Sequence, residues 1–345
     1  MEITTIGLDL AKRVFQVHAV DAAGKVVVRK ALRRAQVLPF FAKLSPCLIG
    51  IEACGTSHHW ARELIVLGHT VGLMPPAYVK PYVKRGKTDA ADAEAICEAV
   101  TRPSMRFVPV KSREQQAALF LHRTRNLLVK QRTQLVNMIR GQLAEFGIDI
   151  PEGLERALTL ARQILDGAAN LDLPEHGIMM LAILCNQALG SHEQIRKVER
   201  ELLVLQRSDD MARRLATIPG IGPIGATAFA ASVTDPAQFK SGRQFAAWLG
   251  LTPLQNSSGG KERLGRISKM GDKYLRRLLV IGATSLTRQY KNRPEKVPAH
   301  FASLLARKPL RVATVAMANK MARIIWALMT RKETYRIAHV PALAA

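Results

Sequence analysis

"ITTIGLDLAKRVFQVHAVDAAGKVVVRKA" (Ile3–Ala31) decides the fold class. "ITTIGLDL" is a β-branched run, "VFQVHAV" alternates apolar and polar residues, "DAAG" supplies a turn, and "KVVVRKA" returns. Three consecutive strands joined by short turns read as an antiparallel meander. Outward from it the pattern changes. A helical stretch runs from about Val37 to Leu44, followed by a short buried strand, "CLIGIE", and a helix, "SHHWARELIVLG". A further strand, "HTVGLM", is punctuated by Pro75-Pro76. Strands followed by alternating helix and strand predict an α/β domain on a mixed sheet, placed at about residues 1–105.

Within that domain four acids stand out. Asp9 ends the first strand in "IGLDLAK" and Glu52 ends a later one in "IGIEACG". Carboxylates at the ends of adjacent strands can converge above one sheet edge. Asp89 and Asp92 in "GKTDAADAEAI" are three apart at the start of a helix, so they share a face. Four such carboxylates repel unless a divalent cation lies between them, and hard oxygen ligands suit Mg²⁺. Each acid also has a plain explanation: an Asp pair at a helix start complements the helix dipole, and an Asp after a strand is a common turn residue. Spacing alone leaves both readings open.

The chain is strongly basic, with 51 Lys+Arg against 27 Asp+Glu and a formal charge of +24. From Lys240 to Ala345 there are 21 Lys/Arg and 4 Asp/Glu, so the last third holds most of the excess. Concentrated positive charge predicts a polyanionic partner, nucleic acid first. Aromatic residues are only 5%, which argues against base stacking as the main mode of binding. Cys47, Cys54, Cys97 and Cys185 lack metal-site spacing and read as buried thiols in a reducing compartment. No signal peptide opens the chain and no apolar run reaches membrane-spanning length, so a soluble cytoplasmic protein is expected.

From Ser112 to Phe146 the pattern is helical, with Ser112 and Gln115 spaced as a capping box. Leu121, Leu128 and Leu135 recur every seven residues, and Met138, Ile139 and Phe146 continue that side. This marks a long helix that packs within the chain or pairs with a second copy. Residues 150–190 are mixed. "GSHEQIRKVERELLVLQRSDDMARRL" (Gly190–Leu215) is a second amphipathic helix that could return antiparallel to the first. The middle region is set at 106–208 and a basic helical domain at 209–345.

"LATIPGIGPIGATAFAA" (Leu215–Ala231) has the form of a helix-hairpin-helix, in which Gly220 and Gly222 expose backbone N–H groups to phosphate. Beyond it lies "LQNSSGGKERLGRISKMGDK" (Leu254–Lys273) and then a cationic amphipathic helix. Ser258 precedes Gly259-Gly260, where the backbone can approach a ligand closely. Lys261, Arg263, Arg266, Lys269, Lys273, Arg276 and Arg277 are placed to neutralise phosphate. No His neighbours the serine in sequence, so by residues alone this is a phosphate-binding loop before it is a nucleophile.

Together, "GLDLAK", "IEACGTSHHWARELIVLGH", "VKRGKTDAADAEAI", "IPGIGPIGA", "GRQFAAWLGLTP" and "SSGGKERLGRISKMGDKYLRRLL" resemble the DEDD-type bacterial insertion-sequence transposases. This is the family described as bridge-RNA-guided DNA recombinases, here the eleven-eleven group of the one-ten family. The resemblance covers most of the chain in order and is weakest over 150–190 and the last dozen residues. It implies a RuvC-like, ribonuclease-H-fold domain whose tetrad, matched by Asp9, Glu52, Asp89 and Asp92, binds Mg²⁺. It also implies a helical C-terminal domain with a nucleophilic serine, matched by Ser258 with Ser257 as the alternative. The implied partners are donor and target DNA, a structured noncoding guide RNA, and further copies of the chain as dimer or tetramer. In that assembly the tetrad of one subunit meets the serine of another, in a cytoplasmic, nucleoid-associated complex. The competing expectation is a metal-dependent, junction-resolvase-like nuclease that needs no serine.

Overall fold

The structure is a computed structural model describing residues 2–84, 88–257, 259–261 and 263–336. Its residues fall into two compact units, 1–114 and 115–345.

The first unit is built on a five-stranded sheet: β1 (Thr5–Asp9), β2 (Val14–Val20), β3 (Val26–Arg33), β4 (Leu48–Glu52) and β5 (Thr70–Met74). The spatial order is β3-β2-β1-β4-β5. β1, β2 and β3 form the expected antiparallel meander, while β4 and β5 run parallel to β1. The α/β reading of this region holds. Helices α1 (Val37–Phe41) and α2 (Ser57–Val66) lie on one face, where Ile6, Leu8, Ile49, Ile51 and Leu73 join Phe41, Trp60 and Leu64 in one core. Successive residues of a strand face opposite sides. The intervening positions therefore belong to the other face, covered by α4 (Asp89–Val100) after the short α3 (Pro76–Val79).

That second face explains where α4 sits. Gly7 pairs in register with Gly50, and Gly50 with Gly72, so three neighbouring strands present a glycine row. A Cβ on Gly7 would collide with the Ala93 carbonyl oxygen and lie 2.5 Å from the Cys97 nitrogen. One on Gly50 would stand 2.8 Å from the Val100 Cβ, and one on Gly72 2.6 Å from Phe107 Cε1. At Gly7 and Gly50 the helix crosses the strands in backbone contact, a seat only glycine permits, and at Gly72 the Phe107 ring fills the space.

Among its described residues the second unit is helical apart from one short hairpin. α5 (Arg113–Glu145), 33 residues long, starts at its boundary with the first unit; α6 (Leu154–Leu165) and the 34-residue α7 (Glu175–Ser208) follow. Arg125 pairs with Glu199 and Arg132 with His192, so α7 returns antiparallel to α5. The buried seam of α5 is Ala118, His122, Val136, Ile139 and Leu143, whereas Leu121, Leu128 and Leu135 are half-buried and Phe146 is exposed. The heptad leucines flank the seam because a straight helix repeats every 3.6 residues and drifts from a seven-residue pattern. α7 also begins well before Gly190, so the second half of the mixed region is helix.

Asp209 ends α7 and caps α8 (Asp210–Leu215), accepting from the Ala212 N–H at 2.6 Å. Then come α9 (Pro223–Ser232), α10 (Gly242–Trp248), the two-stranded β6 (Pro253–Gln255) and β7 (Leu264–Ile267), α11 (Lys273–Asn292), α12 (Ala299–Arg307) and α13 (Leu310–Arg331). They enclose one core around Phe229, Phe245, Leu279, Met321 and Ile325. By length and composition α13 is apolar enough to cross a membrane, which the sequence reading did not anticipate. Half of that stretch is buried in the unit, with Ala318, Ala322 and Ile325 inaccessible to solvent.

Candidate active site

Two residues beyond Gly7 and Gly50, on the face that α4 covers, stand Asp9 and Glu52. They end β1 and β4 one residue past the Leu8–Ile51 pair, so they lie level at one sheet edge. α4 begins at that edge. Thr88 caps it, its hydroxyl accepting from the Ala91 N–H at 3.2 Å, and Asp89 and Asp92 occupy the first turn. The glycine row sets the height of the helix above the strands and so brings its acidic turn over the strand ends.

The electrostatics register this convergence. The Asp9 carboxyl is pushed up to about 6, first by burial and then by the charges of Asp92, Asp89 and Glu52. Glu52 is also raised, by burial and then by Asp92. All four sequence-chosen acids therefore share one field. Among the described residues no three acidic, His or Cys side chains stand together as a formed metal centre. The donor set nevertheless suits a hard divalent cation: carboxylate oxygens alone, mutually repelling, with two of them destabilised as anions.

A pH dependence follows. The folded Asp9 holds its proton to about 6, against 3.8 for the free group. The stability this contributes is fully present below pH 3.8 and is lost as pH rises through about 6, because the folded state binds the extra proton in that window. Without divalent cation, thermal unfolding is expected to show Asp9→Asn and wild type level near pH 4 and the variant more stable above pH 6. Added Mg²⁺ should narrow the gap at high pH. A gap that does not change with pH would contradict the crowding of Asp9.

In the second unit the structure gives the other chosen residues distinct tasks. Ser258 lies outside the described residues. The loop around it is a β-hairpin, with Pro253 paired to Ile267 and Gln255 to Leu264. Ser257 is exposed, and its hydroxyl accepts from the Arg263 N–H at 3.2 Å. Gly259 and Gly260 both adopt left-handed backbone, at φ 57° and 75°. Lys261, Arg263, Arg266, Lys269 and Lys273 are exposed, as a phosphate-facing surface requires.

Arg276 departs from expectation. It is buried, and its Nη1 donates to the Leu249 carbonyl at 2.9 Å and the Met270 carbonyl at 2.7 Å. It braces the base of the hairpin instead of meeting phosphate, since a buried guanidinium requires nearby acceptors. Arg277 is exposed but engaged, lying 5.3 Å over the Tyr274 ring and donating to Asn126 Oδ1 at 2.5 Å. In the helical hairpin, Gly222 is the exposed N-cap of α9, whereas Gly220, at φ 83°, packs against Gly282 and Met321.

Two features escaped the sequence reading. One is the glycine row, whose only trace was a glycine two places before each strand-ending acid. The other is His122, buried in α5. Thr227 Oγ1 donates to the Pro223 carbonyl at 2.8 Å, so it accepts from His122 Nε2 at 3.1 Å. That leaves Nδ1 to accept from the Tyr274 hydroxyl at 3.0 Å. Burial, then Arg125, pushes the imidazole down to about 4. The neutral ring ties the first turn of α11, just past the hairpin, to α5 and α9; a lone His in a leucine-rich helix gives no signal of this.

Residues 6–148 match the family model of DEDD-type IS110 transposases, described as "Transposase", and residues 212–297 match the "Transposase IS116/IS110/IS902 family". A protein of Pseudomonas aeruginosa named "Probable family 20 transposase" is 51% identical over 97% of this chain and 99% of its own length. The transposase for insertion sequence element IS1111A of Coxiella burnetii is 42% identical, over 97% and 92%. That for IS1328 of Yersinia enterocolitica is 39% identical, over 95% and 97%. With its acids gathered at one sheet edge and its cations on an exposed hairpin, the chain belongs to the IS110 family of insertion-sequence transposases, enzymes that cut and rejoin DNA.

Proposed function

We propose that this transposase uses a RuvC-like first unit, Mg²⁺ and a serine of the β6–β7 hairpin to exchange strands between donor and target DNA, guided by a structured noncoding RNA. The observation that supports this most is the shared field of Asp9, Glu52, Asp89 and Asp92. Those four residues would hold Mg²⁺, which when bound polarises the oxygens of a scissile phosphate.

The hairpin supplies the complementary half. Its exposed cations draw in the DNA backbone, and the left-handed Gly259 and Gly260 let the chain approach a phosphate closely. The serine Oγ–P bond forms as the bond from phosphorus to the leaving deoxyribose oxygen breaks, and the serine proton ends on that oxygen. Rejoining reverses the step with a different strand, so the phosphodiester energy is conserved. We assign the nucleophile to Ser258, with Ser257 as the alternative. In a dimer or tetramer the carboxylates of one subunit would serve the serine of another. Guide pairing would choose the sites, leaving the protein to read little sequence itself.

The test is a denaturing gel of purified protein incubated with DNA from the ends of its element. Wild type is expected to give an Mg²⁺-dependent covalent protein–DNA adduct, which chelator and the combined Ser257→Ala/Ser258→Ala variant both abolish. Cleavage that survives loss of both serines and leaves no protein on the DNA would establish the metal-and-water nuclease instead. Sequencing RNA that copurifies with the protein tests the guide.

A further inference from the structure

Beyond β5 the first unit builds a cleft that the reaction above does not use. Pro75 and Pro76 turn the chain out of the strand into α3, where the Tyr78 N–H donates to the Pro75 carbonyl at 2.9 Å and buried Val79 anchors the turn. A 3₁₀ turn, Lys80–Tyr82, follows. The segment after α4 is fastened alongside, the Val108 N–H donating to the Leu73 carbonyl at 2.7 Å. Between the two lies a cavity of about 380 Å³ lined by Tyr78, Pro81, Tyr82, Ser104, Met105 and Arg106.

Its chemistry is specific. The chain has five tyrosines, and two of them line this one cleft. Tyr82 packs on the core around Ile96 and Val100 and has the Arg102 guanidinium 5.7 Å over its ring. Tyr78, 45% exposed, leaves much of its surface to solvent. Arg106 lines the cleft and is exposed, and Lys80, two residues past Tyr78, is exposed as well; neither has an ion pair among the described residues. Aromatic faces flanked by cations match a flat base attached to a phosphate.

Position narrows the ligand. β5 adjoins β4, Glu52 is in register with Met74, and Tyr78 lies four residues past Met74. The chain therefore leaves β5 at the edge where the carboxylates stand, one strand beyond Glu52, and four residues later supplies Tyr78 to the cleft. We infer that this cleft holds an unpaired nucleotide of the DNA substrate, its base stacked on Tyr78 and its phosphate met by Arg106 and Lys80. The bound base keeps the strand splayed beside the phosphate that the carboxylates engage. This last role rests on the proposed action of the acids; the binding does not.

Fluorescence anisotropy with a labelled single-stranded DNA, its duplex, and an RNA of the same sequence tests the inference on the full-length protein. Stacking on an aromatic side chain contributes about 1–3 kcal/mol per base. Tyr78→Ala is therefore expected to weaken single-stranded DNA binding about 5- to 150-fold, while Tyr78→Phe stays within about twofold. Duplex binding should be unchanged, which also shows that the variants are folded. Unaltered single-stranded binding in Tyr78→Ala, an equal loss on the duplex, or a loss confined to RNA would each overturn the site. Asp9→Asn separates the two readings: it should bind single-stranded DNA as wild type does while failing to cut. Cutting by Asp9→Asn would remove the role assigned to the acids and leave the cleft to be judged by Tyr78.

Discussion

Gly7→Ala is expected to inactivate the transposase and lower the unfolding temperature of its first unit by about 10–20 °C, though it adds only a methyl group. The added carbon has nowhere to go. It would collide with the Ala93 carbonyl and press on the Cys97 backbone, and both belong to α4. A side chain can change rotamer, but a helix backbone can only move as a body. Overpacking costs about 1–3 kcal/mol where neighbours can yield, and the upper end or more is expected where they cannot. Lifting α4 also lifts Asp89 and Asp92 away from Asp9 and Glu52, so activity falls further than stability alone requires. Gly141, exposed in α5 with nothing near its Cβ position, provides the contrast. There the same change removes backbone freedom from the unfolded chain and should be neutral or stabilising by up to about 1 kcal/mol. Circular dichroism melts of the two variants check the pair, and a Gly7→Ala protein with wild-type melting and activity would rule out the backbone seat of α4.

Asp9→Asn should separate stability from function in the opposite way. DNA cleavage is expected to fall by at least about 10²–10³-fold, the scale on which one preorganised electrostatic group acts. The fold should nevertheless become more stable at neutral pH in the absence of metal. The raised carboxyl of Asp9 shows that its charge is held against burial and against three neighbouring acids. Asparagine keeps the shape and removes that charge. Groups that destabilise the fold yet are required for activity mark a functional site, whereas helix-capping acids show the reverse. Cleavage assays at saturating Mg²⁺, paired with melts in chelator, read both halves. If Asp9→Asn keeps its activity, or loses stability and activity together, the acids serve the helix and strand ends alone.

Much of this was legible along the chain. The meander, the two parallel strands and the four acids could be read because they rest on local patterns: alternation within strands, turn residues between them, and acids at element ends. The helical hairpin and the exposed cations of the serine loop were visible for the same reason. The leucine heptad misled, because the partners of α5 lie on α6, α7, α9 and α11, and a spacing rule does not know which face those helices meet. Arg276 misled likewise: in sequence it is one of many cations before an apolar helix, and only folding places two carbonyls around it.

What the sequence determined by itself was which reactive and charged groups the chain carries, since charge, carboxylates and the serine–glycine loop are properties of residues in order. What only tertiary structure decided was which of those residues act together. Gly7, Gly50 and Gly72 are far apart in the chain and adjacent in the sheet. The missing side chains at Gly7 and Gly50 let one helix settle onto their strands, with Phe107 filling the space at Gly72, and that depth places two acids of the helix against two of the strands. Such closeness depends on atoms that are absent, and a pattern of residues cannot show an absence until the neighbours that would fill it are in place.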